Sequence, residues 1–389
     1  MQTTIISDFS SNSKSSRIAS IDILRGLVML IMLLDHVRER FFYHHQVSDP
    51  MVLSDVAPSL FFTRLAAHLC APVFVFLTGL GAWLYAHPSG KAPRSPKSFL
   101  LKRGLFLVLL EITLVNFSWF GSFQTIYLQV IWAIGLSMIF LAFCSGMPRH
   151  LLGLFGLVIV FGHNALSFVE FSPGEWGYTS WAILHDRGFL IDTDWLRIKA
   201  SYPILPWMGV ILCGYWMGPL FGKEVSQQKR ISTLVYFGLG SFLVLAILRG
   251  TNSYGETLPW KVQESITLTV MDFLNFTKYP PSLDFILLTL GIGFLLLAGF
   301  EKNTWKPMEV LRIYGNAPMF FYILHLYVLL VLYTLFNSIF GPTQGKLFGF
   351  EHLWQVWTLA VILGFGLYFP TRWFGKLKRR SPYAILKYF

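Results

Sequence analysis

The sequence predicts an all-α, polytopic membrane helix bundle, and three observations carry that prediction. The chain of 389 residues is 54% hydrophobic and only 13% charged, with a mean hydropathy of +0.56, whereas soluble chains carry about 25% charged residues. Apolar runs of about 20 residues recur along its whole length, which is the span that a hydrocarbon core of about 30 Å demands. The runs do not alternate apolar with polar residues, so a barrel is set aside in favour of helices that satisfy their own backbone.

The candidate spans are 21–42, 66–86, 99–118, 124–145, 150–170, 203–221, 231–249, 282–300, 310–338 and 351–371. They make a single bundle of about ten transmembrane helices. Lys and Arg are more frequent on the tail and the alternate connections that share its side, such as 87–98 and 222–230, than on the opposite set. The positive-inside rule therefore places both termini in the cytoplasm. Residues 1–20 are expected to form a polar cytoplasmic segment, 21–371 the transmembrane domain and 372–389 a basic cytoplasmic tail. The first of these lacks the apolar core and cleavage site of a signal peptide, so the first span should be retained.

The net charge of +11 excludes little by itself. Its basic residues lie between apolar spans rather than along one soluble patch, which argues for a lipid bilayer and against a nucleic-acid partner. Cys70, Cys144 and Cys213 fall inside spans and read as packing residues rather than a disulfide framework. No metal spacing, phosphate loop, dinucleotide fingerprint or nucleophile elbow is present, so neither a metal nor a bound cofactor is expected.

The first span carries Asp22, Arg25, Asp35 and His36. Each such charge costs about 2.5–3.5 kcal/mol at mid-membrane on insertion scales, so they should face a cavity or a partner. At 100° per residue Arg25 and His36 lie about 20° apart around the helix, with Asp22, Met29 and Met32 nearby and an axial separation of about 16 Å. That spacing resembles the reach of a pantetheine arm. An anionic nucleotide could sit near Arg25, Lys102 and Arg103, with a thioester near His36. A neutral His36 is suited to take the proton of an acceptor amine or hydroxyl, with Asp35 supporting the imidazolium. The structural alternative makes Asp22 and Arg25 an interfacial pair and leaves Asp35 and His36 at the wet end of the helix.

Ile21-Asp22-Ile23-Leu24-Arg25-Gly26 with the following His36 resembles the first helix of the transmembrane acyltransferase superfamily. Ala71 to Gly79, Tyr202 to Gly209, Lys278-Tyr279-Pro280-Pro281-Ser282 and Phe320 to His325 resemble, in order, further signatures of its heparan-α-glucosaminide N-acetyltransferase-like branch. The resemblance implies a membrane acetyltransferase that takes acetyl-CoA or another acyl-CoA from the cytoplasm as co-substrate and acylates a sugar or glycan acceptor across the membrane. It implies His36 as the catalytic residue, with His44 or His45, in the loop after the first span, as alternatives. A bacterial chain of this kind belongs in the inner membrane; the oligomeric state is left open.

Further buried polar groups are candidates for the acceptor side. His68 shares a helical face with Pro72, Glu111 needs a partner for which His36 or Arg64 is suggested, and His325 belongs to the last signature. Asn316 and His325 occupy opposite faces of one helix unless it bends near Pro318. Asp284 reads as a carboxylate at a helix start. The long connections 171–202 and 250–281 are expected to cover a pocket, with Trp176, Tyr178, Trp181 and Trp195 either stacking a sugar or forming an aromatic belt. The competing function is a transporter or flippase, though no matching halves are apparent.

Overall fold

The computed structural model describes residues 18–302 and 305–389. Lys14 and Arg17 of the polar segment lie outside them. Leu, Met and Arg, all good helix formers, fill the first span, and α1 (Ala19–Phe41) runs unbroken past its charges. A buried proline shapes the next element. Pro72 has no N–H to give to the carbonyl of His68, so the helix divides into α2 (Pro58–Ala67) and α3 (Cys70–Ala86). Between them the bonds tighten, His68 N donating to Leu65 O at 3.1 Å and Leu69 N to Ala66 O at 3.3 Å.

α4 (Lys97–Leu110) continues through a π-helical turn, Glu111–Val115, into α5 (Asn116–Phe120). Strand β1 (Thr125–Leu128) then leads into α6 (Val130–Cys144), and α7 (Arg149–Gly162) follows. The connection 171–202, expected to cover a pocket, contains α8 (Tyr178–Leu184), β2 (Gly188–Asp192) and β3 (Arg197–Ala200). β3 pairs parallel with β1 and antiparallel with β2. The fold is thus the expected, predominantly helical one with a small three-stranded sheet added, where residues such as Arg197-Ile198-Lys199-Ala200 suit a half-buried strand.

α9 (Leu205–Met217), α10 (Gln227–Thr251), α11 (Ile266–Phe273), α12 (Leu283–Lys302), α13 (Lys306–Asn316), α14 (Pro318–Phe340) and α15 (Leu353–Arg380) complete the chain. The expected span 310–338 is therefore broken at Ala317, where Pro318 starts a new helix at the position that tolerates it. α15 runs nine residues beyond the expected end at 371, so the first half of the basic tail is helical.

Among the described residues six helices are long and apolar enough to cross a membrane: Pro58–Ala86, Arg149–Leu166, Gln227–Thr251, Leu283–Lys302, Pro318–Phe340 and Leu353–Arg380. Val130–Cys144 and Leu205–Phe221 are shorter apolar helices. α15 exposes Val361, Phe365, Phe369 and Trp373 in a single stripe, the side chains of a surface that meets lipid rather than water. α1 is instead buried, packed against α3, α12, α13, α14 and α15.

Close backbone approach holds these helices together. A Cβ on Gly26 would overlap the Leu311 carbonyl, and one on Gly315 would overlap that of Asp22. The same reciprocal arrangement joins Gly79 to α9 and Gly214 to α3, as expected where small residues drive helix association in lipid.

The second long connection is tied down by buried Arg249, whose guanidinium donates to the carbonyls of Leu258, Asp272, Phe273 and Asn275. Arg suits this role because its donors form a fixed planar fork.

Candidate active site

One cavity of ≈ 800 Å³ runs along α1 and is lined by Ile21, Asp22, Arg25, Met29, Met32, Asp35 and His36. Its size lies within the roughly 300–1,000 Å³ of small-molecule sites. Around Arg25 the wall carries Arg94, Arg103, Lys223, Lys378 and Arg379, with Asn316 and Phe389. Arg25 Nη1 donates to Asp22 Oδ1 at 3.0 Å and to the Gly315 carbonyl at 3.1 Å, so the glycine contact also orients the guanidinium. Tyr85 and Phe99 stack 4.1 Å apart on the same wall, with Arg94 over the Tyr85 ring at 3.8 Å. Aromatic and apolar side chains line the middle, among them Phe74, Ile134 and Met138.

At the other end His36 Nδ1 lies 2.7 Å from His325 Nε2. The rings are 18° from coplanar with centroids 5.0 Å apart, the geometry of an edge-to-edge hydrogen bond rather than a face stack. His325 Nδ1 is 2.8 Å from the Phe321 carbonyl, an acceptor only. His325 Nδ1 must therefore carry a proton. In the neutral pair its Nε2 then accepts from His36 Nδ1–H, and the lone pair of His36 is left on Nε2. Among the described residues no hydrogen bond is made to that nitrogen. Edge contacts from Trp119 at 5.2 Å and Tyr322 at 5.9 Å confine the ring. Arg40 fixes Trp119 in turn, donating to the Ser118 and Trp119 carbonyls at the end of α5.

Behind this pair lies a network of buried charge. Asp35 Oδ1 accepts from Arg38, whose Nη2 is 2.8 Å away, and Arg38 also meets Glu39 at 3.3 Å. Arg64 lies 3.6 Å from Asp49, and both Asp49 oxygens accept from the backbone N–H of Lys278, at 3.2 and 3.1 Å. Burial lifts the Asp49 carboxyl above its ordinary range against the pull of Arg64 and Lys278. Tyr279 donates to Tyr202 at 3.1 Å, and burial lifts the Tyr202 phenol well above its usual value, which keeps it protonated.

The family model for the heparan-alpha-glucosaminide N-acetyltransferase catalytic domain matches residues 17–254, a stretch that holds α1 and the basic wall from Arg25 to Lys223. The chain belongs to that family. No curated protein matches it. As a heparan-alpha-glucosaminide N-acetyltransferase-type protein it is an integral membrane acetyltransferase. His325 and Lys278 lie beyond the matched residues.

Within this family member the expected site residues separate clearly. Arg25, Asp35, His36 and Arg103 line the cavity. Lys102 is exposed and does not, because adjacent helical residues point about 100° apart. His44 and His45 sit on a short 3₁₀ turn after α1, packed on Phe42 and on each other, away from the cavity wall. His68 is buried at the α2–α3 break against Phe285, with neither ring nitrogen bonded among the described residues.

One expected partnership is corrected. Glu111 meets neither His36 nor Arg64: its Oε2 accepts from the Trp132 backbone N–H at 3.0 Å, at the start of α6. Asp35 accepts from Arg38 Nε at 2.9 Å, and His325 Nε2 accepts the hydrogen bond of His36 Nδ1–H. The break before Pro318 leaves Asn316 on the cavity wall, whereas His325 is fully buried off that wall and meets the site through its hydrogen bond with His36. Trp176 and Trp195 are largely exposed, and Trp181 stacks on His185. Asp284 is buried in the first turn of α12, off the cavity wall.

Sequence reasoning missed Lys278 and Tyr202 as wall residues, although both stand in motifs that it quoted. It also missed Arg94, Lys223, Lys378, Arg379 and Phe389, which come from helix ends and connections and carry no local signal.

Proposed function

We propose that this protein transfers an acetyl group from cytoplasmic acetyl-CoA to an amino sugar or glycan on the opposite face of the membrane. On this reading the chain crosses about ten times with both termini in the cytoplasm, as charge asymmetry favours, in the inner membrane of a bacterium. The observation that carries the reading is the single cavity joining a basic mouth to a histidine whose Nε2 lone pair is open.

The nucleotide phosphates bind among Arg25, Arg103 and Arg379, where guanidinium groups offer paired donors. The pantetheine arm follows α1 past Met29 and Met32, which leaves the thioester beside His36. The acceptor N–H or O–H attacks the carbonyl carbon as His36 Nε2 takes its proton; the C–S bond then breaks and the thiolate recovers that proton. His325 holds the tautomer, and Asp35, paired with Arg38, stands beside the charge that forms.

The test is binding followed by turnover. Acetyl-CoA should raise the thermal midpoint of the purified protein, and membranes should pass label from acetyl-CoA to glucosamine. His36→Ala should keep the thermal shift and lose the transfer. Substrate flux across liposomes without acyl-CoA, in a protein that acetyl-CoA does not stabilise, would establish the transporter or flippase reading instead.

A further inference from the structure

Lys278 is 6% exposed and lines the same cavity as His36 and Asp35. Among the described residues its ammonium makes no hydrogen bond and no ion pair; its aromatic neighbour is the Tyr279 ring at 5.1 Å. An ammonium that makes no direct hydrogen bond or ion pair and opens into a cavity points to a ligand oxygen. Its placement is rigid. Asp49 holds its backbone N–H, Ser282 N closes the turn onto Thr277 O at 2.9 Å, and the Arg249 clamp fixes the preceding carbonyls.

We propose that Lys278 is a catalytic residue whose ammonium holds the thioester carbonyl oxygen and stabilises the negative charge that develops there. The proposal rests on the acyl-CoA reading above. When the acceptor attacks, the carbonyl π pair moves onto oxygen and the acceptor proton moves to His36 Nε2. When the tetrahedral adduct collapses, that pair reforms C=O, the C–S bond breaks, and the thiolate takes the proton from His36. Lys278 donates a hydrogen bond throughout and exchanges no proton. Charge fixed in advance at a developing oxyanion is a large catalytic term, because nothing has to reorganise during the reaction. The group also stays charged: burial opposes the ammonium, but Tyr279, Asp35 and Glu39 outweigh it and hold Lys278 above the ordinary lysine value.

The experiment compares acetyl-CoA with S-ethyl-CoA, a thioether that lacks the carbonyl, on the full chain in detergent. Wild type should bind acetyl-CoA about tenfold more tightly, the scale of a charge-assisted hydrogen bond. Lys278→Met should erase that preference and lower kcat with glucosamine by about 100- to 1,000-fold, leaving KM for glucosamine unchanged. Lys278→Arg should retain the preference and most of the turnover, which separates the proposal from a folding defect. A preference that survives in Lys278→Met, or equal weakening of both ligands, overturns the assignment. So does a raised KM for glucosamine with kcat intact, which would place Lys278 on the acceptor. A wild-type protein that binds neither ligand fails the acyl-CoA reading itself, before any Lys278 variant is compared.

Discussion

The two ends of the cavity are built on opposite principles. The end around Arg25 is an assembly of cations from α1, α4, the connections before α4 and after α9, and the end of α15. The end around His36 is a chain of specific hydrogen bonds, from the Phe321 carbonyl through His325 to His36. Multiple cations act additively and tolerate imprecision, whereas a tautomer is fixed or it is not. Substitutions should therefore give graded effects on binding at the first end and steep effects on chemistry at the second.

His36→Ala tests this most severely, with an expected fall in turnover of about a thousandfold at unchanged acetyl-CoA affinity. Gly26→Ala comes next. Its Cβ meets the Leu311 carbonyl of α13, and separating two helices in backbone contact should cost about 1–3 kcal/mol, read as a lower thermal midpoint. His325→Ala should lower kcat by about 10- to 100-fold, because it frees the His36 tautomer without removing the base. At the basic end Arg103→Ala should weaken acetyl-CoA binding by less than about tenfold and flatten its salt dependence. Lys102→Ala, one residue away but facing out, should change neither. Equal effects of Arg103→Ala and Lys102→Ala would break the contrast.

The same contrast decides what the sequence makes legible. The face of α1 follows from helical periodicity, since Asp22, Arg25, Met29, Met32 and His36 share an angle that no tertiary contact alters. Periodicity could not choose between Lys102 and Arg103 without knowing which way α4 faces. Glu111 invited a charged partner because a buried carboxylate is costly, yet the N–H groups that start α6 serve as well, and those appear only when two helices meet. The break at Pro72 and the restart at Pro318 were visible as residues, but the site that the second creates, with Asn316 on the cavity wall and His325 buried behind His36, depends on the angle of the bend. The small sheet escaped notice because its strands are short and β1 lies far in sequence from β2 and β3. Lys278 was hidden by its neighbours: in Lys278-Tyr279-Pro280-Pro281-Ser282 the prolines draw attention as a turn and the lysine reads as surface.

The backbone contacts at Gly26 and Gly315 make α1 a ruler. Because the helix is unbroken and locked against α13, the distance from Arg25 to His36 is set by helical rise at about 16 Å and cannot adapt to its ligand. On the acyl-CoA reading proposed above, a shortened donor such as acetyl-pantetheine could present its thioester to His36 only by giving up the basic end of the cavity. A donor with a lengthened arm would have to buckle between Met29 and Met32. Selection by length, rather than by recognition of any single group, follows from two glycines that touch no ligand at all.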